Sequence, residues 1–310
     1  MTTKTALFVR KQSGGMFTVV NETLTTGSIF FVDSVTGVNS VGGGRNPDAP
    51  LATLDYAIGL CTASKGDMIY VMPGHSETIA AADGWDADVA GIKIIGLGWG
   101  DLRPTFNFTA TASDVAIGAN NVWVENLRFV AGVSAVVRGV NIEGKTGVVF
   151  RNCEWYWGGT TGWDFVTALR LAAGSSRLTV DGCKFLAEPA VAGAAQAVYL
   201  VGASHNVRVQ NSEFMGDHST ACLFGDTTLS QGLMFISNLV HNTDAAEPYL
   251  EVLTGTTGVI ADTRGLASGA TVAANAVADA MAHCENFVVN TTGTIAIVKG
   301  AGGSPALDAD

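Results

Sequence analysis

The chain reads as an all-β protein that winds its strands into a single-stranded parallel β-helix, and two observations lead there. An eight-residue pattern recurs every 23 to 30 residues, and a second short strand precedes each copy without a hairpin dipeptide between them. The clearest copies are IKIIGLGW from Ile92, VWVENLRF from Val122, VVFRNCEW from Val148, LTVDGCKF from Leu178 and VRVQNSEF from Val207; LMFISNLV from Leu233 is weaker. Each has apolar first and third residues, Asn, Gly or Ser fifth and a large apolar residue eighth. The fifth position falls at Gly96, Asn126, Asn152, Gly182, Asn211 and Ser237, with fainter members expected at Pro73 and Thr263. The preceding strands are DVAIG, GVNIEG, ALRLAAG, AVYLVG, ACLFG and YLEVLTG.

Period-two alternation, short length and Gly-, Ser-, Thr- or Asn-rich connections make these strands. A chain that repeats this way without reversing winds in one direction, each coil burying its apolar face on the next. Asn126, Asn152 and Asn211 are expected to form a structural ladder, adopting left-handed backbone angles and bonding to their stacked equivalents. Thr53 reads as the N-cap of a helix near 53–65, with Leu54, Ile58 and Cys61 on one face and Gly66 at its end. Such a helix would cover the open edge of the first coil. The organisation expected is an arm over 1–28, a β-helix over 29–266, and a C-terminal cap and tail over 267–310. In the last part Ala270 to His283 reads as a second cap, NFVVN and TIAIVKG as strands, and SPALDAD as a tail.

Composition limits the function. The 310 residues are 47% apolar and 15% charged with net charge −11, so a disordered chain is excluded and a nucleic-acid binder is not expected. No run has the apolar length of a membrane span, and MTTKTALFVRKQSGG lacks a signal-peptide core, so neither membrane contact nor secretion is expected. Five cysteines from Cys61 to Cys284 without a CxxC suit buried thiols. Cys153 and Cys183 should be stacked neighbours. The five histidines share no ligand spacing, and the glycines at 42–44 follow no βα pattern, so neither a metal nor a cofactor is expected.

The stretch FFVDSVTGVNSVGGGRNPDAPLATLDYAIGLCTASKGDMIYVMPG, with the coils after it, resembles the N-terminal half of pectate-lyase-like right-handed β-helix proteins, as found in polysaccharide lyases and bacteriophage virion proteins. It spans roughly residues 28 to 265. The resemblance implies a right-handed helix and, from the phage members, a homotrimer. The lyase motifs depart from it: WxDH reads WVEN at Trp123 to Asn126, RxPxxR is represented only by Arg103 and Pro104, and no calcium-binding aspartate cluster is evident.

Outward positions read across coils give Arg128, Glu154, Lys184 and Glu213 in one column and Glu125, Arg151, Asp181 and Gln210 in another. Their alternating signs predict cross-coil ion pairs. The best candidates for catalysis are Glu188 and Asp217, six residues past the fifth position, and His218 and Asp244, seven past it. Stacked carboxylates there would approach the separation of a retaining glycosidase pair, ~5 Å; the alternative is ordinary solvent-facing loop residues. Trp155 is expected in the core. Tyr156, Trp157 and Trp163 have three open roles: packing on their own chain, an interface, or a sugar platform.

The arm carries net +2, leaving −13 elsewhere. Phe8, Arg10, Lys11 and Phe17, with Trp157 and Trp163, are the expected partner contacts. The reading that follows is a non-enzymatic phage capsid-decoration or cement protein, a homotrimer bound to the major capsid protein on the virion exterior and made in the host cytoplasm, with no catalytic residue. The alternatives are a tailspike that binds or cleaves host polysaccharide through Glu188, Asp217, His218 and Asp244, and an adhesin that binds glycan through Trp157 and Trp163.

Overall fold

The computed structural model describes residues 27–189, 194–225, 228–244 and 247–267, Thr25, and the segments 8–10, 17–19, 276–277, 281–284, 286–289 and 295–297. It is a parallel β-solenoid of right-handed type with about eight turns. Three sheets run its length. One contains Lys93–Gly96, Trp123–Glu125, Val149–Arg151, Thr179–Asp181 and Arg208–Gln210. A second contains Thr105–Phe108, Arg128–Ala131, Glu154–Tyr156, Lys184–Leu186 and Glu213–Gly216. The third contains Val115–Ile117, Val136–Ile142, Phe165–Leu171, Ala194–Leu200 and His218–Gly225. Each coil visits the third, first and second sheets in turn, so equivalent residues of successive coils are hydrogen-bonded neighbours.

The fifth position forms the corner between the first and second sheets. Asn126, Asn152, Asn211 and Ser237 have φ of 58°, 52°, 51° and 54°, and Gly182 has 64°. Asparagine and glycine tolerate this left-handed conformation at low cost. The ladder itself is made by backbone: the N–H groups of Asn126, Asn152, Gly182 and Asn211 donate to the carbonyls of Arg151, Asp181, Gln210 and Ile236 in the next coil. The asparagine side chains do not bond to one another as expected. Asn126 Nδ2 donates to the carbonyls of Gly96 and Gly98, and Asn211 Nδ2 to Asp181 Oδ1, because glycine and aspartate stand nearest them on the adjoining coils.

Inside, Phe106, Phe129, Trp155, Phe185 and Phe214 form a continuous aromatic stack, with ring centroids 6.0, 5.1, 4.6 and 4.9 Å apart. Outside, the charge columns pair as expected: Arg128 Nε lies 2.8 Å from Glu154 and Lys184 Nζ 2.7 Å from Glu213. Arg103 joins Glu154 at 3.0 Å. The second column keeps its register, with Arg151 and Asp181 3.9 Å apart.

The ends depart from expectation. Val71, not Pro73, pairs with Gly96, and Asp262 (φ 47°), not Thr263, takes the last corner, since strand register fixes the alignment where the pattern is faint. Trp99 is 84% exposed; a short helical turn at Gly100–Leu102 lengthens that connection, and Phe106 takes the inward place. The helix spans only Leu54–Gly59, capped by Thr53. Asp67 draws the following chain away by accepting from the Thr62 N–H at 2.6 Å, and Ser64 is left-handed. In the alanine-rich segment, Ala276–Val277 and Met281–Cys284 continue two of the sheets, and Phe287–Val289 adds a strand beyond 266. Ile295–Ile297 pairs with it antiparallel, whereas SPALDAD lies outside the described residues. In the arm, Phe8–Arg10 pairs antiparallel with Phe17–Val19; Phe8, Arg10 and Phe17 fall within this pair, and Lys11 lies outside the described residues. The expected cysteine neighbours are adjacent and buried, and both are free thiols.

Phe185→Ala removes a ring stacked on both sides and should cost about 3–5 kcal/mol. Lys184→Ala, beside it but outward, should change stability by less than about 1 kcal/mol. Urea denaturation of the two variants measures the contrast.

Candidate active site

The turn from the second to the third sheet collects the acids. In one coil the chain leaves Glu154–Tyr156, makes an excursion through residues 157–163, WGGTTGW, and enters the third sheet at Asp164. The next coil passes the same corner at Glu188, the next at Asp217 and His218, and the next at Asp244. Backbone bonds hold these levels together. Asp217 N–H donates to the Glu188 carbonyl at 2.9 Å, and Thr243 N–H to the Gly216 carbonyl at 2.9 Å. Asn242 clamps the top: its Oδ1 accepts from the N–H of His218 at 2.9 Å and of Asp244 at 3.3 Å, and its Nδ2 donates back to the His218 carbonyl at 3.0 Å.

The four acids are not equivalent. Asp164 is 1% exposed and Glu188 4%, whereas Asp217 and Asp244 are half-buried. Asp164 Oδ1 accepts from the Glu188 N–H at 3.1 Å, and Glu188 Oε2 accepts from the Gly162 N–H at 2.6 Å. Burial, opposed by that Glu188 N–H and assisted by the charges of Glu188 and Asp217, pushes the Asp164 carboxyl up to about 7. Asp217 is also raised, by burial first and then by Asp244 and Glu188; its Oδ1 is buried with no hydrogen-bond partner. His218 is buried, and burial lowers it to about 4. The ladder therefore holds carboxyls that resist ionisation together with a neutral imidazole, the condition that general acid catalysis requires near neutrality.

Glu188, Asp217, His218 and Asp244 thus come together as expected, but His218 points inward instead of to solvent. Asp164 was not foreseen because it lies past a loop that breaks the repeat count, yet Asp at the start of a third-sheet strand recurs at Asp114, where it binds Arg138 at 2.9 Å. The aromatic stretch belongs to the same place. Trp163 adjoins Asp164 in sequence, and Gly158, with φ 76°, sits so close to the Ala131 carbonyl that no Cβ fits. Trp157 donates its backbone N–H to Leu186 at 3.1 Å and sets its ring 5.9 Å from Tyr156. Both tryptophans are half-buried. Trp155 is in the core, as expected.

A second row runs parallel to the acid ladder near the far end of the third-sheet strands, Arg170 and Tyr199 five residues beyond the strand starts at Phe165 and Ala194. Asn141, Arg170, Tyr199, Phe224 and Glu251 pair in register along the axis. Arg170 donates to Asn141 Oδ1 at 2.8 Å, and the Tyr199 and Phe224 rings lie 5.5 Å apart. Among the described residues no group of three or more His, Cys, Asp or Glu side chains is arranged to hold a metal ion.

No family model matches the chain, and no curated protein matches it. Among solved structures, a rhamnogalacturonan lyase is similar over 79% of this chain and 75% of its own, at 12% identity and a TM-score of 0.45. Against the expectation of a chain without catalytic activity stands the name of that structure, a lyase; at this distance the name is said of that protein alone.

Proposed function

We propose that this protein hydrolyses a neutral polysaccharide laid along the third sheet, with cleavage at the acid ladder. The observation that carries the reading is the stacking of Asp164, Glu188, Asp217 and Asp244 over successive coils, with Asp164 and Asp217 pushed toward their protonated forms by burial first and then by neighbouring carboxylates. Asp217, half-buried and raised, serves as the general acid that protonates the leaving glycosidic oxygen. Asp244, one coil on and also half-buried, acts as the carboxylate partner that attacks the anomeric carbon or activates water. Coils ~4.8 Å apart bring two such groups near the separation of glycosidase pairs, ~5–9.5 Å. Glu188 and Asp164 stand behind them as positioning residues: Glu188 anchors the tryptophan loop through Gly162 and its charge opposes ionisation of Asp217, and Asp164 holds the Glu188 backbone through its N–H.

A neutral substrate follows from charge. A protein of net charge −11 with four stacked acids repels a polyuronate, and β-elimination needs a uronate whose carboxyl acidifies the neighbouring C–H. Trp157 and Trp163 supply stacking faces beside the acids, and Tyr199, Phe224, Arg170 and Asn141 offer an aromatic and polar track for further sugars. The setting that goes with this reading is a homotrimer on a virion surface, a polysaccharide-degrading spike, which rests on the resemblance to phage β-helix proteins. A cement role through the arm gains no support, because the arm's side chains lie outside the described residues.

The test is incubation of the purified protein with a panel of neutral bacterial surface polysaccharides, reading new reducing ends and ultraviolet absorbance together. Reducing ends without unsaturated products are expected, and Asp217→Asn should slow their release by at least about 100-fold. Unsaturated ends, or unchanged turnover in Asp217→Asn, would contradict the mechanism. Tyr199→Ala should weaken binding of long oligosaccharides about three- to tenfold, the equivalent of one aromatic contact, in calorimetric titration.

Stability should report the buried acid as well. A carboxyl raised to about 7 in the folded state keeps its proton where the unfolded chain has lost it. Its contribution is therefore present below the unfolded value near 4 and lost as pH rises toward 7. His218, lowered to about 4, has the opposite slope between about 4 and 6.5. Comparing Asp164→Asn with wild type cancels the histidine: the variant should gain relative stability between pH ~4 and ~7 in urea denaturation.

A further inference from the structure

Directly behind the acid ladder, a cavity of about 10 Å³ is lined by Trp155, Asp164, Gln196 and His218 together with apolar residues of the core. Four polar atoms of these lining residues are buried without a hydrogen-bond partner: Trp155 Nε1, Asp164 Oδ2, His218 Nδ1 and His218 Nε2. A buried polar atom left unpaired costs about 1–3 kcal/mol, and here four of them border one small space. The space is close to what one water requires, ~10–15 Å³, and the partners have complementary chemistry. The indole N–H can only donate, the carboxylate oxygen accepts, and a neutral imidazole offers one acceptor and one donor.

We propose that this cavity is a specific binding site for one water molecule, which accepts from Trp155 Nε1–H and donates to Asp164 Oδ2 and to the unprotonated nitrogen of His218. Three bonds are the usual complement of a structural buried water. The water ties three consecutive levels of the stack together: Trp155 and Asp164 from one coil, the Glu188 level through the Asp164 Oδ1 bond, and His218 from the next. The site does not depend on glycan cleavage, since the water is held whether or not the ladder turns over a substrate.

Two measurements on the full chain test it. A crystal structure at atomic resolution should show a density peak within hydrogen-bond distance, ~2.7–3.2 Å, of Trp155 Nε1, Asp164 Oδ2 and one nitrogen of His218. In solution, the Trp155 indole proton should show a nuclear Overhauser contact to a long-lived water. Trp155→Phe keeps the ring stacked between Phe129 and Phe185 and removes only the donor, so it should fold and lose the density peak. A cavity without density, an Asp164 that bonds His218 directly, or a peak that persists unchanged in Trp155→Phe would overturn the proposal. Because neither readout uses a substrate, failure here and failure of the polysaccharide assay are separate results.

Discussion

Everything in this molecule depends on the hydrogen bond that carries one coil to the next at the left-handed corner. Each corner residue turns its N–H along the axis to the carbonyl of the following coil, and a residue that tolerates positive φ must stand there for the turn to be made. Once that bond is fixed, the register of all three sheets is fixed with it. Inward residues become stacks of like on like, which suits phenylalanine and tryptophan, whose offset rings pack well at the coil spacing. Outward residues also become stacks, and there the same rule costs energy unless the charges alternate, as they do from Arg128 to Glu213.

At the corner where the second sheet meets the third, the charges do not alternate. Acid follows acid for four levels, and the repeat that aligns the core also forces these carboxyls together. Burial and mutual repulsion then raise Asp164 and Asp217. A stack of like charges is a poor way to stabilise a solenoid and a good way to keep a proton on a carboxyl near neutral pH. The contrast between the two columns, one balanced and one not, is the physical reason for assigning chemistry to one corner and structure to the other. The tryptophan loop, inserted just before Asp164, is tied to this corner by the bond from Gly162 to Glu188.

The sequence made the regular part of this legible. The corner positions from Asn126 to Ser237, the charge columns, the inward Trp155 and the adjacency of Cys153 to Cys183 all follow from counting along a repeat. Counting failed where the period changed. Gly96 ends a strand and pairs with Val71, two residues before the expected Pro73, Thr263 lies one residue past the corner at Asp262, and Trp99 was carried outward by a helical turn that the pattern did not signal. Asp164 was missed for the same reason, since residues 157–163 interrupt the count just before it. His218 counted as a loop residue but turned inward, because Asn242 pins its backbone at the start of a strand. That the tryptophan loop and the acid column form one site required the third dimension: a single bond from Gly162 to Glu188 joins two features separate in the sequence.

The central claim is that coil register gathers the acids into one electrostatically coupled group, with Glu188 between Asp164 and Asp217. Carbon-13 titration of the side-chain carboxyls, in wild type and in Glu188→Gln, tests it most directly. The midpoints of both Asp164 and Asp217 should fall when the Glu188 charge is removed. If both carboxyls titrate in the ordinary range, or neither responds to Glu188→Gln, the acids are independent and the account of this corner fails.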